Sequence, residues 1–200
     1  MQDEIAQLTA ALARAHAGSS DFDLNPHLPP PRRLPLRPAA VLIAIMAESG
    51  GARLVLTKRA SHLAHHPGQI AFPGGKLEAH DAGPSAAALR EAQEEIGLAP
   101  QSVQILGCLP DHETVTGFCM TPVIGIIRTP QPFTPDPAEV DEVFSVPLRF
   151  ATDLRNFRIE GRIWQGHMRH YYTVPCGPHY IWGATARVLY GLAQRLAPCG

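Results

Sequence analysis

Residues 74–98 read Gly-Gly-Lys-Leu-Glu-Ala-His-Asp-Ala-Gly-Pro-Ser-Ala-Ala-Ala-Leu-Arg-Glu-Ala-Gln-Glu-Glu-Ile-Gly-Leu and constrain this chain most, because they specify a loop, a helix and both ends of that helix. Pro84 suits a first helical position, the alanines that follow have the strongest helix propensity, and Gly97 can adopt the left-handed conformation that stops a helix. The segment therefore predicts a helix over residues 84–96, with Ala88, Leu89, Ala92 and Ile96 as its packing stripe. Glu91, Glu94 and Glu95 fall at i, i+3 and i+4, so their side chains share one face within reach of a common cation. Like charges at this spacing cost only about 0.2–0.5 kcal/mol per exposed pair, so repulsion alone does not demand a metal. Three glutamates on a helix are ordinarily a solvated surface. The context argues otherwise here: a glycine pair precedes the helix, and Arg90 adjoins Glu91, where a guanidinium can orient a carboxylate through a charge-assisted hydrogen bond.

The rest of the chain supplies a sheet for such a helix to pack on. An apolar run at residues 40–46 and an alternating stretch at 53–58 flank Ser49-Gly50-Gly51, the pattern of a hairpin. Further strands are expected at residues 103–106, 121–127 and 162–174, and a second helix at 184–196 places Val188, Leu189, Leu192 and Leu196 on one packing face. The class is α/β, with layers of helix on sheet. Ahead of this lies a short amphipathic helix over residues 3–16, expected to be peripheral, then a connector with six prolines between Asn25 and Pro38. The expected organisation is an N-terminal helix and proline-rich connector at residues 1–38 and a catalytic domain at 39–200.

A net charge of −1 gives no general attraction to nucleic acid or to anionic membrane. The chain shows no signal-peptide pattern and no apolar stretch long enough to span a bilayer, so a cytoplasmic location is expected. Cys108, Cys119, Cys176 and Cys199 lack the paired spacing of a structural zinc site and read as reduced thiols. His62, His65 and His66 cluster in an expected loop, where solvation competes with substrate contact as their role.

Residues 90–98 fill every position of R-E-U-x-E-E-x-G-U, where U is apolar, and in this the chain resembles the Nudix hydrolase superfamily, whose box is written G-x5-E-x7-R-E-U-x-E-E-x-G-U. The first half departs from that pattern: counted from Gly75 the acidic position falls on Asp81, and eight residues rather than seven then precede Arg90, so Asp81 and Glu78 both stand as the loop carboxylate. The resemblance implies an α/β/α sandwich with a mixed central sheet and a loop-helix catalytic motif. It implies that Glu91, Glu94 and Glu95 bind magnesium or manganese, that Arg90 orients Glu91, and that the Gly74-Gly75 backbone shapes the loop. Hard cations favour such oxygen ligands. The implied chemistry is hydrolysis of a pyrophosphate linkage in a small molecule. A carboxylate to hold the attacking water is still needed; Glu95 itself, Glu113, Glu139 and Glu142 are the candidates.

Upstream, residues 55–75 are similar to the signature of the coenzyme A pyrophosphatase branch, L-L-T-x-R-(S/A)-x3-R-x3-G-x3-F-P-G-G: Thr57, Arg59, Ala60, Gly68 and residues 72–75 fall in register, while Ala64 stands where the second arginine is expected. Segments 121–125, 139–148 and 181–186 resemble the same branch. The implied substrate is coenzyme A or an acyl-coenzyme A, yielding 3′-phospho-AMP and a 4′-phosphopantetheine product. Lys58, Arg59 and His66, with Gly74 and Gly75, are the candidate substrate contacts. Cleavage of ADP-ribose or another nucleoside diphosphate derivative is the competing reading, although Glu113 stands where that family's proline is expected. A non-catalytic nucleotide-binding module is a third, and the intact helix carboxylates argue against it. The expected partners are a small-molecule pyrophosphate substrate and, in a homodimer, a second copy of the chain, with residues 1–36 as candidates to assist dimerisation.

Overall fold

The computed structural model describes residues 2–14, 17–28, 35–164 and 166–197. Its elements are helix α1 (Gln2–Ala13), strands β1 (Ser19–Ser20), β2 (Arg37–Glu48), β3 (Gly51–Arg59), β4 (Ile70–Ala71) and β5 (Gly74–Lys76), helix α2 (Pro84–Ile96), strands β6 (Val103–Cys108), β7 (His112–Glu113), β8 (Phe118–Ile127) and β9 (Val140–Pro147), the short helix α3 (Leu148–Ala151), strands β10 (Arg158–Trp164), β11 (His167–Cys176) and β12 (His179–Trp182), and helix α4 (Gly183–Leu196).

The apolar run in β2 makes sense because this strand is covered on both faces. It pairs parallel to β8 and antiparallel to β3 and β5, which makes the main sheet mixed. Its alternating side chains divide two cores. Val41, Ile43 and Ile45 point into one with Leu8 of α1 and Leu189 and Leu192 of α4, while Ala40, Leu42 and Ala44 face Ala87, Ala88, Ala92 and Ile96 of α2. The sheet is thus sandwiched between α2 on one side and α1 with α4 on the other, the α/β/α arrangement expected. A second sheet, β10-β11-β12, is antiparallel throughout.

Two expectations change. The stretch 162–174 is not one strand: Gly166, at φ 80°, turns the chain between β10 and β11, which pair in register from Arg158↔Thr173 to Trp164↔His167. Nor is α1 peripheral. Leu8 and Ala11 are each 1% exposed, and Arg195 of α4 reaches the carbonyls of Ala11 in α1 and of Arg14 just past it at 3.4 and 3.2 Å, a cation at the negative end of a helix. The residues that follow α1 are also built in. Asp21 lies 3.2 Å from Arg169 of β11 and 3.5 Å from His112 of β7, and Asn25 hydrogen-bonds the backbone of His170 through both its amide atoms. Pro29-Pro30-Pro31 of the expected connector lies outside the described residues. Cys108, Cys119 and Cys176 are free thiols, and among the described residues no helix is long and apolar enough to cross a membrane.

Candidate active site

Helix α2 can lie close to the sheet because its inner face is small: Ala87, Ala88 and Ala92 are all fully buried. That approach brings the acidic flank of the helix against β5, whose glycine pair makes room for it. A Cβ on Gly74 would collide with the carbonyl oxygen of Ala40 and with Val41, and one on Gly75 would sit 2.5 Å from the Glu91 carboxylate. The pair is required by space, once by a neighbouring strand and once by the Glu91 side chain. Gly74 donates its N–H to Glu95 Oε2 at 3.2 Å, and Glu95 is only 4% exposed.

Arg90 uses its whole guanidinium. Nε and Nη2 donate to the two oxygens of Asp81 at 3.1 Å each, Nη2 also to the Lys76 carbonyl at 3.0 Å, and Nη1 to Glu94 Oε2 at 2.8 Å and towards Glu91 Oε1 at 3.0 Å. Asp81 in turn accepts the Glu78 N–H at 2.8 Å, and its hydrogen bonds from Arg90 hold its carboxyl below the usual aspartate range. Of the two loop carboxylates left open by the sequence, Asp81 therefore is the one that meets Arg90; Glu78 lies beside exposed His80 at 3.5 Å.

The carboxylates themselves are under electrostatic load. Burial pushes the Glu95 carboxyl up to about 8, against the pull of the Gly74 N–H and of Arg59, with Glu139 and Glu91 adding repulsion. Glu91 is raised as well, first by burial, with Arg90 pulling it down and Glu94 and Glu139 pushing it up. Glu139 is thus near enough to repel both. It lies just ahead of β9, held where the Ala60 N–H reaches its carbonyl at 2.8 Å. Of the other two downstream candidates, Glu142 pairs with His179 at 3.0 Å, and Glu113 sits in β7 opposite Cys119 of β8.

Among the proposed substrate contacts, Arg59 is near enough to act on both Glu95 and His66. His66, at φ 56°, has its imidazole affinity lowered by partial desolvation and then by Arg59 and His65. Lys58 exerts its pull on Asp141, whose carboxylate holds the Ser61 N–H and hydroxyl at 3.0 and 2.6 Å and so pins the start of the loop carrying Ala64 and the histidines. Ala64 is exposed on that loop.

Among the described residues no three acidic, histidine or cysteine side chains already enclose a metal position. The convergence expected from helical spacing is incomplete because Arg90 holds Glu94, whose side chain is 58% exposed and turned towards the guanidinium. The donor set still fits a divalent cation in kind: three hard oxygen donors on one helix, two of them with proton affinities raised by burial and mutual repulsion, which a bound cation reverses.

A carboxylate-bearing helix clamped to a glycine loop beneath a mixed sheet defines the class, that of phosphoanhydride hydrolases of the loop-helix type. The chain belongs to the Nudix family: the NUDIX domain model matches residues 35–163. Relatives described as uncharacterized Nudix hydrolase NudL, from Salmonella paratyphi B and Salmonella newport, are each 41% identical over 168 residues, covering 80% of this chain and 83% of theirs. Among solved structures, the NUDIX domain of Shewanella oneidensis NrtR, crystallised with ADP ribose, shares the fold at a TM-score of 0.53 and 15% identity, over 88% of this chain and 97% of that one. The protein is a Nudix pyrophosphatase that hydrolyses a phosphoanhydride bond.

Proposed function

We propose that the bond cleaved is the diphosphate of a nucleoside diphosphate derivative, and that coenzyme A and its thioesters are the members of that class this enzyme uses. The observation that supports the diphosphate reading is the lodging of Glu91 and Glu95 against Gly75 and Gly74, with Glu139 near enough to repel both. The coenzyme A reading rests on residues 55–75, with the long loop before Arg90. In the reaction a water oxygen attacks phosphorus, the bond from that phosphorus to the bridging oxygen breaks, and the departing phosphate keeps the electron pair. Magnesium or manganese on Glu91, Glu94 and Glu95 would neutralise charge on the diphosphate and make the water more acidic. We assign Glu139 to orient the attacking water and accept its proton, because it approaches the helix carboxylates from a separate element. Arg90 holds Glu91 and Glu94 in place and fastens the loop through Asp81. Arg59 and His66 contact the remainder of the ligand.

ADP-ribose is the second reading, supported by the fold match to a NUDIX domain complexed with it. Incubation with coenzyme A, dephospho-coenzyme A and ADP-ribose, with and without magnesium or manganese, separates the two by product mass. Formation of 3′-phospho-AMP at the highest efficiency is expected; a clear preference for ADP-ribose overturns the coenzyme A reading and leaves the diphosphate reading standing. Ala64→Arg, restoring the signature arginine, is expected to tighten coenzyme A binding by about 1.5–3 kcal/mol if that side chain meets a phosphate.

A further inference from the structure

Strand β10 ends the second sheet, so one of its edges carries backbone donors and acceptors with no strand beside them among the described residues. One face of this β-hairpin is largely apolar and open to solvent: Ile159 is 56% exposed, Ile163 74% and Met168 49%, with His170 across from Gly161 between them. Free edges of this kind are normally guarded by charge. Here Arg158, Glu160 and Arg162 line the opposite face, and their signs alternate around Gly161.

We propose that β10 is the interface of a homodimer, in which two copies pair antiparallel about a twofold axis passing through Gly161. In that register Glu160 faces the partner's Arg162 and Ile159 faces the partner's Ile163, each contact made twice by symmetry. Arg158 lies opposite the partner's Trp164, a cation against an aromatic ring. The apolar face becomes continuous: Ile163, already beside Met168 across the β10–β11 ladder, gains the partner's Ile159, and Ile159, beside Tyr172, gains the partner's Ile163. The charges select this register against its neighbours. Sliding either way by the two residues that keep the same faces sets Glu160 against Glu160 with Arg158 against Arg162, or Arg162 against Arg162, and like charges directly opposite are unfavourable. Both charged groups are held ready on the hairpin, Glu160 by the Tyr180 hydroxyl at 2.6 Å and Arg162 over the Trp182 ring at 4.4 Å. A strand-edge contact is small, so the dimer is reversible and concentration-dependent.

Sedimentation velocity over a concentration series tests this. Wild-type protein is expected to pass from monomer to dimer. Glu160→Arg and Arg162→Glu alone should each weaken self-association about tenfold or more, since each places like charges opposite twice. Mixed in equal amounts, the two variants should form a heterodimer, because each Arg at 160 or 162 then meets a Glu, and the double variant should self-associate like wild type. Near-UV circular dichroism checks that each variant is folded. Ile163→Asp, at a position exposed in the single chain, is a second route to the monomer. Wild-type protein that stays monomeric up to about 0.1 mM overturns the proposal. So does a dimer indifferent to both single variants and to Ile163→Asp, or a failure of the folded single variants to pair when mixed.

Discussion

The two faces of the central sheet each bury a carboxylate, and the two carboxylates are treated in opposite ways. On the α1–α4 face, burial pushes Asp21 up, yet His112, the Val115 N–H and Arg169 outweigh it and hold the carboxyl below the usual aspartate range. On the α2 face, Glu95 has one backbone N–H and the more distant Arg59, and its carboxyl rises to about 8. One carboxylate is neutralised by the fold. The other is left short of positive charge, which suits a group whose partner is to arrive from solution.

The largest effect expected from breaking this comparison is at Asp21. Asp21→Ala leaves Arg169, 9% exposed, and fully buried His112 without their anion, and should lower unfolding free energy by about 3–5 kcal/mol in denaturant titration. The next is catalytic: Glu91→Gln, Glu94→Gln and Glu95→Gln should each lower metal-dependent turnover about a hundredfold or more while circular dichroism shows an unchanged fold. Near-normal rates in all three would make the helix face decorative.

The comparison also sharpens into opposite pH dependences. Glu95 is protonated in both folded and unfolded chains below its ordinary value of 4.5; as pH rises the unfolded chain ionises first, so stability falls until about 8, where the penalty is complete. At about 1.36 kcal/mol per unit this amounts to a few kcal/mol, and Glu95→Gln should remove that slope from metal-free protein in melting curves. Asp21 acts the other way. Its contribution is present above the ordinary aspartate value of 3.8 and is lost as pH falls through its lower folded value, so Asp21→Asn should flatten the acid limb. Smallest is Asp81→Asn, which keeps the shape but removes charge from the carboxylate that steadies Arg90. A fall of about tenfold in turnover or metal affinity is expected, with little change in stability.

The α2 side of the molecule was legible in the sequence because its constraints are local. Pro84, the alanines and Gly97 delimit the helix within one segment, and Arg90, Glu91, Glu94 and Glu95 are read from helical spacing. The central strand was legible for a similar reason, since burial on both faces leaves an unbroken apolar run. What joins distant segments was not. Asp21, His112 and Arg169 sit far apart in sequence with no motif around any of them, and only the fold makes them neighbours. Residue type does not tell Glu139 from Glu142, because the difference lies in which of them acts on the α2 carboxylates and which meets His179. The strands β9 and β12 do not stand out in the sequence, and β10 and β11 read as one, because alternating charged and aromatic residues give no strong period where one sheet face is wet.

The fork of Arg90 bears finally on the extra residue in the loop. One side chain grips the carbonyl at 76, the carboxylate at 81 and two carboxylates of its own helix, so it closes residues 76–90 into a ring. The entropy of closing a ring grows only with the logarithm of its length, and one added residue costs about 0.1 kcal/mol. Loop length is therefore nearly free to drift. What such an insertion must preserve is the reach of an acidic side chain to the guanidinium, and a lysine, with its three donors on one atom, could not span the same set.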